Sequence, residues 1–230
     1  MFLFYLLIFL VKEINMYLSD NQIIGSSLNS EKPLIKPFSP GREIVYVNDE
    51  TKNISHGLSQ NGYDIRLGSD VEFFISGSYT QNSDDTSTRL DPFGTKNVLT
   101  ARMDPYKKEL VNYKDYKGNI SQKEVKCWLI HPGQFVLAHS LEKFCIPENV
   151  TGFLFCKSSY ARLGMNMAPT VLKSGWEGQL VLEIYNQTNH ALMIYEGCGI
   201  GTIYFAEHHE RTNDPYQGKY QLQEGVVKAR

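Results

Sequence analysis

The sequence predicts an all-β fold, either a sandwich or a barrel. No long stretch of the 230 residues repeats its apolar side chains with the 3.6-residue period of a helix. Short runs rich in Val, Ile, Leu, Phe and Tyr recur instead, and turns that contain Gly or Pro separate them. Hydrophobic residues make up 42% of the chain and charged residues 21%, which suits a globular protein with a proper core.

The N-terminus begins with an apolar run, "MFLFYLLIFLV", that is too short to span a bilayer. No basic stretch precedes this run and no small-residue cleavage site follows it, so it does not match a secretory signal. A second methionine, Met16, opens "MYLSDNQIIG", where Ser19 or Asp20 is a suitable N-cap for a short helix. We therefore expect the functional chain to start at Met16, with residues 1–15 as an upstream extension and no membrane association.

The remaining elements are predicted in chain order within one domain, residues 16–230. Tyr63, Ile65 and Leu67 alternate with polar residues in "GYDIRLG", as in a half-buried strand. Residues 76–124 are polar and are predicted to form a variable region of loops and short hairpins. Further strands are predicted near 126–130, 134–140 and 150–155, and in "GQLVLEIYNQ" and "GIGTIYFAEH". The polar residues 211–230 are predicted to form a flexible arm.

Charge and cysteine usage exclude several classes of function. The net charge of −2 provides no global field that would recruit nucleic acid. The four cysteines include no C-x-x-C pair, so they predict reduced thiols in a cytoplasmic protein. The "HHE" at 208–210 contains H-x-E, but the P-C-x-x-C partner of a zinc deaminase is missing, so no zinc is expected. No G-x-S-x-G elbow is present, although a Ser-His-Asp triad stays open.

Glu183 is a candidate for acid–base chemistry. In "GQLVLEIYN", Leu182 and Ile184 share one face of the predicted strand. Glu183 lies on the opposite face with Val181 and Tyr185. Apolar surroundings would raise the pKa of this carboxyl, as a general base working near neutral pH requires. A solvent-facing glutamate on a half-exposed strand also fits the pattern, and both interpretations stay open.

The segment "CKSSYARLGM", residues 156–165, combines a lysine, two hydroxyls and an arginine after an apolar strand. Ser158 or Ser159 is a candidate N-cap, and Gly164 is a candidate stop for one helical turn. Backbone N–H groups at such a start, together with Lys157 and Arg162, would bind phosphate or carboxylate oxygens. A capped turn with solvated charges fits equally well, so these residues alone do not decide between the two.

Four linked segments resemble the dCTP deaminases of the trimeric dUTP pyrophosphatase superfamily. In chain order they are "SHGLSQNGYDIRLG", "HPGQFVLAHSLEKFCIPENVTGFLFCKSSYARLGM", "GWEGQLVLEIYN" and "YEGCGIGTIYF". The opening "MYLSDNQI" is also similar to that of the family. The resemblance covers roughly residues 16–75 and 125–225. It implies a distorted jelly-roll β-barrel of the dUTPase-like type with a few short helices, assembled as a homotrimer with active sites between subunits.

The resemblance implies hydrolytic deamination of dCTP to dUTP and ammonia, a step toward dTTP. Glu183 would activate the water that attacks C4 of cytosine, and Ser158 and Arg162 would polarise the water and the ring. Mg²⁺ would enter with the triphosphate, without protein ligands. The arm would close over the triphosphate through "KYxxQ". The other implied positions are Lys157, Ser159, Lys219, Tyr220 and Gln223 near the phosphates, and Pro169, Thr170 and Tyr185 near the base and sugar.

The chain departs from the family pattern just before the "GW" turn. Family members often carry an Ile-Asp pair there, whereas this chain reads "TVLKSGW", with Lys173 about where the aspartate would stand. In the superfamily's pyrophosphatases that aspartate holds the deoxyribose and orients the hydrolytic water, so Lys173 argues against dUTP hydrolysis. Two alternatives remain: a bifunctional enzyme that forms dUMP and pyrophosphate, and a catalytically silent nucleotide-binding protein. Whether dTTP is a feedback inhibitor stays open.

Overall fold

Antiparallel β-structure dominates the chain. The computed structural model describes residues 16–74 and 100–229, which contain fourteen strands and two helices. Every strand pairing in these residues is antiparallel, which confirms the all-β prediction. The helices are α1 (Asp20–Leu28) and α2 (Ser158–Ala161). The strands are β1 (Ile35–Lys36), β2 (Arg42–Tyr46), β3 (Ile54–Ser59), β4 (Gly62–Phe74), β5 (Thr100–Arg102), β6 (Lys107–Lys114), β7 (Ile120–Ile130), β8 (Phe135–Cys145), β9 (Val150–Cys156), β10 (Met165–Met167), β11 (Thr170–Leu172), β12 (Glu177–Asn186), β13 (Leu192–Tyr195) and β14 (Gly199–Glu207).

Strand β4 belongs to two sheets. Its first half pairs with β3 and β14, in a sheet ordered β13-β7-β6-β2-β3-β4-β14-β9-β11. Its second half pairs with β8 and β5, in a sheet that contains β10-β12-β8-β4. The register shifts between Leu67 and Val71. Gly68 lies in this irregular stretch, and a Cβ there would come within 2.2 Å of the His139 ring. This irregularity lets one long strand turn between the two sheets.

Side chains from both sheets meet in one main core. The largest fully buried members are Trp128, Tyr63, Phe144 and Phe205. A smaller cluster of Val45, Val111, Val125 and Cys198 holds the long β6–β7 hairpin. The core therefore fixes the strands whose outward faces carry the site described below.

The predicted strands after residue 125 are confirmed, and two of them are longer than expected. Strand β7 begins at Ile120, and β8 continues to Cys145. Within the predicted loop region 76–124, the residues from Thr100 onward form β5 and the hairpin of β6 and β7. Polar side chains occupy most of both faces of this hairpin, which hides its strand pattern in the sequence. Residues 1–15 and 76–99, for which an extension and variable loops are predicted, lie outside the described residues.

Helix α1 follows Met16, as the sequence predicts. Ser19 is the N-cap, and its side chain and that of Gln22 form a capping box. The preceding residues pair with β14, since the Leu18 N–H donates to the Phe205 carbonyl at 2.8 Å. No helix within residues 16–74 and 100–229 combines the length and apolar character needed to cross a membrane.

A buried ion pair connects the two long strands β4 and β8. The Arg66 Nε donates to Glu142 Oε1 at 2.7 Å, and the Arg66 backbone N–H donates to Glu142 Oε2 at 2.9 Å. The Glu142 side chain is fully buried, and that of Arg66 is 15% exposed. Burial lowers the pKa of Arg66, but the Glu142 carboxylate outweighs this effect and raises it overall.

Replacing Glu142 by Gln is expected to destabilise the fold by about 3–5 kcal/mol, because it leaves the Arg66 guanidinium buried without its counter-charge. Chemical denaturation at fixed protein concentration measures the effect. Glu124→Gln is the matched control, since Glu124 pairs with Lys108 at an exposed site and its loss should change little. An equal effect of the two substitutions would show that the buried pair does not stabilise the fold.

Candidate functional site

A cleft of about 610 Å³ lies over the outward face of β12, a size typical of small-molecule sites. Its floor comes from β12, β8 and the end of β4. Its other walls come from the segment 168–176 and from the C-terminal arm. The lining residues are Phe74, Phe135, Leu137, Ala168, Thr170, Val171, Leu172, Lys173, Trp176, Leu180, Val181, Glu183, Tyr216, Tyr220, Gln223, Val227 and Ala229.

Glu183 lies on the floor of this cleft because burial alternates along β12. Leu182 and Ile184 are fully buried in the core, whereas Glu183 is half-buried on the other face. Leu137 of β8 stands directly opposite Glu183 in the register. The backbone is held on the other side as well, since the Ala168 N–H donates to the Glu183 carbonyl at 3.0 Å. The prediction that Glu183 lies on the strand face opposite Leu182 and Ile184 is therefore confirmed.

The Glu183 carboxylate has an apolar environment. Burial raises its pKa, and no charged group of the described residues counters that effect. No hydrogen bond or ion pair joins this carboxylate to another side chain in residues 16–74 and 100–229. A carboxyl in this state is suited to accept and release protons near neutral pH.

The C-terminal arm forms the roof of the cleft. Trp176 Nε1 donates to the Tyr220 carbonyl at 2.9 Å, and Gln223 Nε2 donates to the Gln179 carbonyl at 2.8 Å. Gly178 permits the close approach, since a Cβ there would come within 2.8 Å of the Gln223 carbonyl oxygen. The arm, predicted to be flexible, is therefore docked along the edge of β12. Of its predicted residues, Tyr220 and Gln223 line the cleft, whereas Lys219 is exposed with its ammonium 5.3 Å from the Tyr220 ring centroid.

The residues "SSYA" form helix α2, with Arg162 as its C-cap, on a different part of the surface. Ser158, Ser159 and Arg162 are all exposed, and none of them lines the cleft of its own chain. The prediction of a serine N-cap is wrong, because Lys157 occupies the N-cap and no side chain caps the helix. Gly164 ends the turn with φ of +83°, as predicted.

Lys157, for which the sequence predicts a phosphate role, has a carboxylate partner within its own chain, and that role stays a prediction. Its side chain is buried, and its ammonium forms an ion pair with Asp64 of β4. Asp64 also accepts hydrogen bonds from Thr202 Oγ1 at 2.6 Å and from Ser55 Oγ at 3.3 Å. This network ties the start of α2 to β4, β3 and β14, so the Lys157 charge is neutralised inside the protein.

The three residues predicted near the base and sugar are placed differently. Thr170 lines the cleft, whereas Pro169 and Tyr185 are exposed outside its lining. Sequence reasoning missed the aromatic walls Trp176 and Tyr216, as well as the apolar floor. These residues come from segments distant along the chain, and no local pattern marks them.

The described residues contain no group of three or more His, Cys, Asp or Glu side chains that could hold a metal ion. A second cleft of about 570 Å³ adjoins the first, and Lys173 and Tyr216 line both. Its remaining lining is mostly polar: Thr151, Ser174, Thr212, Asp214, Pro215, Gln217 and Gly218.

Comparison with known proteins identifies the family. The family profile described as dCTP deaminase-like matches residues 42–208. A dCTP deaminase from Alcanivorax borkumensis is 33% identical over 205 residues, which cover 88% of this chain and 93% of that protein. A dCTP deaminase from Campylobacter concisus is 32% identical over 217 residues, which cover 91% of this chain and 95% of that protein. The crystal structure of 2'-deoxycytidine 5'-triphosphate deaminase from Agrobacterium tumefaciens is 15% identical with a TM-score of 0.43, over 72% of this chain and 44% of that chain.

The profile covers well over half of the chain, and the sequence relatives exceed 30% identity over most of it, which confirms the resemblance drawn from the four linked segments. The chain belongs to the dCTP deaminase-like family.

Proposed function

We propose that this protein deaminates dCTP hydrolytically to dUTP and ammonia, with Glu183 as the general base. The observation that carries the proposal is the half-buried Glu183 carboxylate on the floor of an apolar cleft. Its pKa is raised, and no described side chain pairs with it. The relatives named dCTP deaminase match along most of the chain and support the choice of substrate.

In the proposed reaction, one carboxylate carries every proton. Ionised Glu183 takes a proton from water, and the water oxygen forms a bond to C4 of cytosine while the C4=N3 electron pair moves to N3. Glu183 delivers its proton to N3. It then takes the proton of the new hydroxyl and passes it to the exocyclic nitrogen. The C4–N bond breaks, ammonia leaves, C4=O forms and Glu183 is ionised again.

Ser158 and Arg162 are proposed to polarise the water and the ring, and a second copy of the chain would supply them. Both are exposed, Ser158 at the start of α2 and Arg162 just after its end, and both lie outside the cleft of their own chain. Exposed apolar side chains nearby, Leu163 on the turn after α2 and Phe155 on β9, offer a surface that a neighbouring copy would cover. A homotrimer with cyclic symmetry would repeat this contact three times.

The triphosphate is proposed to lie under the arm, close to Tyr220, Gln223 and Lys219, with Ser159 of the neighbouring copy beside it. Mg²⁺ would be held by the phosphate oxygens and would neutralise their charge, since the described residues offer no cluster of protein donors. The proposal includes a cytoplasmic location, where the four free cysteines would stay reduced.

Incubation of the protein with dCTP and Mg²⁺ tests the reaction. We expect dUTP and ammonia as products. In Glu183→Gln, ammonia release should fall by about 10²–10⁴-fold because the proton carrier is lost. Calorimetric titration should show that this variant still binds dCTP, since the amide keeps the shape of the cleft.

Other products would identify the two alternatives. Formation of dUMP and pyrophosphate would indicate a bifunctional enzyme, although the ammonium of Lys173 in the cleft does not favour the carboxylate-assisted hydrolysis of dUTP. Tight dCTP binding by the wild-type chain without turnover would indicate a binding protein. Full turnover by Glu183→Gln would exclude Glu183 as the base.

A mixing experiment tests whether the site is shared between copies. Glu183→Gln and Arg162→Ala should each be inactive alone. After the two are unfolded and refolded together in equal amounts, about one quarter of the wild-type activity is expected, because one in four contacts then joins an intact Glu183 to an intact Arg162. Refolded samples of each single variant are the controls. Mixtures as inactive as those controls would contradict a shared site.

The raised pKa of Glu183 also predicts how stability depends on pH. The folded state holds this proton more tightly than the unfolded state, so the contribution of Glu183 to stability falls as the pH rises from about 4.3 through the folded-state pKa. Glu183→Gln cannot ionise at this position and does not lose stability in this way. The free energy of unfolding of the variant minus that of wild type should therefore increase as the pH rises between the two pKa values. Denaturation at a series of pH values measures the difference. A relative stability that decreases with pH would mean that the carboxylate has a stabilising partner.

A further inference from the structure

Lys173 is the cationic residue among the described residues that line the Glu183 cleft. Apart from Glu183, the other lining residues carry apolar, aromatic, hydroxyl or amide side chains. Lys173 also lines the adjoining polar cleft. Its position is therefore the place where the apolar space over Glu183 meets the polar space beyond it.

The fold holds Lys173 at this boundary while its ammonium stays exposed. It follows β11 directly, between the buried residues Leu172 and Ser174. The Trp176 N–H donates to its carbonyl at 3.0 Å and closes a tight turn. The ammonium lies 5.8 Å from the centroid of the Tyr216 ring of the arm, a cation–π distance. No ion pair joins it to a carboxylate in the part of the chain that the structure describes.

Lys157 offers the opposite arrangement. Its ammonium is buried against Asp64. Moving it toward a ligand would leave that carboxylate buried with only its hydroxyl donors, which makes the movement unfavourable. Unlike that of Lys157, the charge of Lys173 is therefore available to an anion in the cleft.

We propose that Lys173 contacts a phosphate of the nucleotide whose base lies over Glu183, and that it thereby sets the preference for phosphorylated substrates. This inference rests on the proposed function and adds to it the residue that recognises the phosphate group. An ammonium is a compact charge with three donors, which suits a phosphate that approaches from the adjoining polar cleft.

The separation of the two charged groups agrees with this assignment. Burial is the cause of the raised pKa of Glu183, and no ammonium among the described residues lowers that pKa. Lys173 and Glu183 form no ion pair in the described part of the chain, although both line the same cleft. A nucleotide likewise carries its base and its phosphates at opposite ends of the sugar.

Steady-state kinetics of Lys173→Ala with dCTP and with unphosphorylated 2'-deoxycytidine test the role of Lys173. For dCTP we expect KM to rise about 10- to 100-fold with kcat nearly unchanged. A change of this size corresponds to the loss of one charge-assisted hydrogen bond that is made equally in the ground state and the transition state. The turnover of 2'-deoxycytidine should stay the same. Lys173→Arg should restore most of the affinity for dCTP because it keeps the charge. Lys52→Ala, at an exposed lysine in the β2–β3 turn, is the matched control and should behave as wild type.

Binding provides a second measurement that does not depend on turnover. In the Glu183→Gln background, adding Lys173→Ala should weaken dCTP binding about 10- to 100-fold and leave 2'-deoxycytidine binding unchanged. Unchanged dCTP affinity, or equal losses for both ligands, would overturn the phosphate role of Lys173 while leaving the proposed function intact. A wild-type chain that neither binds nor deaminates dCTP would instead contradict the proposed function itself.

Discussion

The alternation of side chains along β12 is the constraint on which the site depends. Leu182 and Ile184 are anchored in the core, and β8 and β10 fix the register of the strand on both sides. A slip by one residue would bury the Glu183 carboxylate and expose both apolar side chains, so the packing of the core selects one register. The position of Glu183 therefore follows from hydrophobic packing on the opposite face of its own strand, and the surroundings that raise its pKa follow from the same register.

The same strand also holds the arm. The Gln179 backbone N–H donates to the Gln223 carbonyl at 2.9 Å, and the Gln179 carbonyl accepts from Gln223 Nε2 at 2.8 Å, so the edge of β12 becomes the attachment line of the roof. A second attachment lies farther along, where Lys228 approaches Glu72 of β4 at 3.9 Å. Strand β12 thus presents the carboxylate and docks the segment that covers it. A change at this edge would alter water access to Glu183 without touching the carboxylate, as lid segments do in other enzymes.

Local patterns predicted the all-β class, the strands after residue 125, the Ser19 cap and the face of Glu183, because each depends on neighbouring residues in the chain. They predicted loops and short hairpins within residues 76–124, but not the length of β6 and β7, whose polar faces lack the usual alternation. They also did not predict the docking of the polar arm, which depends on backbone hydrogen bonds to β12. The assignment of Lys157 to phosphate came from its place in "CKSSYARLGM" and from the family resemblance. It did not anticipate the partner Asp64, which lies 93 residues away in the chain. Contacts of this kind arise from topology, and a motif does not encode them.

Charge pairing distinguishes the residues that hold the fold from those that are available for chemistry. Arg66 with Glu142, and Lys157 with Asp64, are buried pairs, so each charge is already satisfied when the protein folds. Glu183 has no such partner within residues 16–74 and 100–229, and its desolvation lowers the stability of the ligand-free protein at neutral pH. A ligand that binds only the folded state regains stability by mass action, and the gain grows with its affinity. The protein with an empty cleft is therefore less stable than it would be if the Glu183 carboxylate were paired. An unpaired carboxylate of this kind is expected where a ligand supplies the missing interactions.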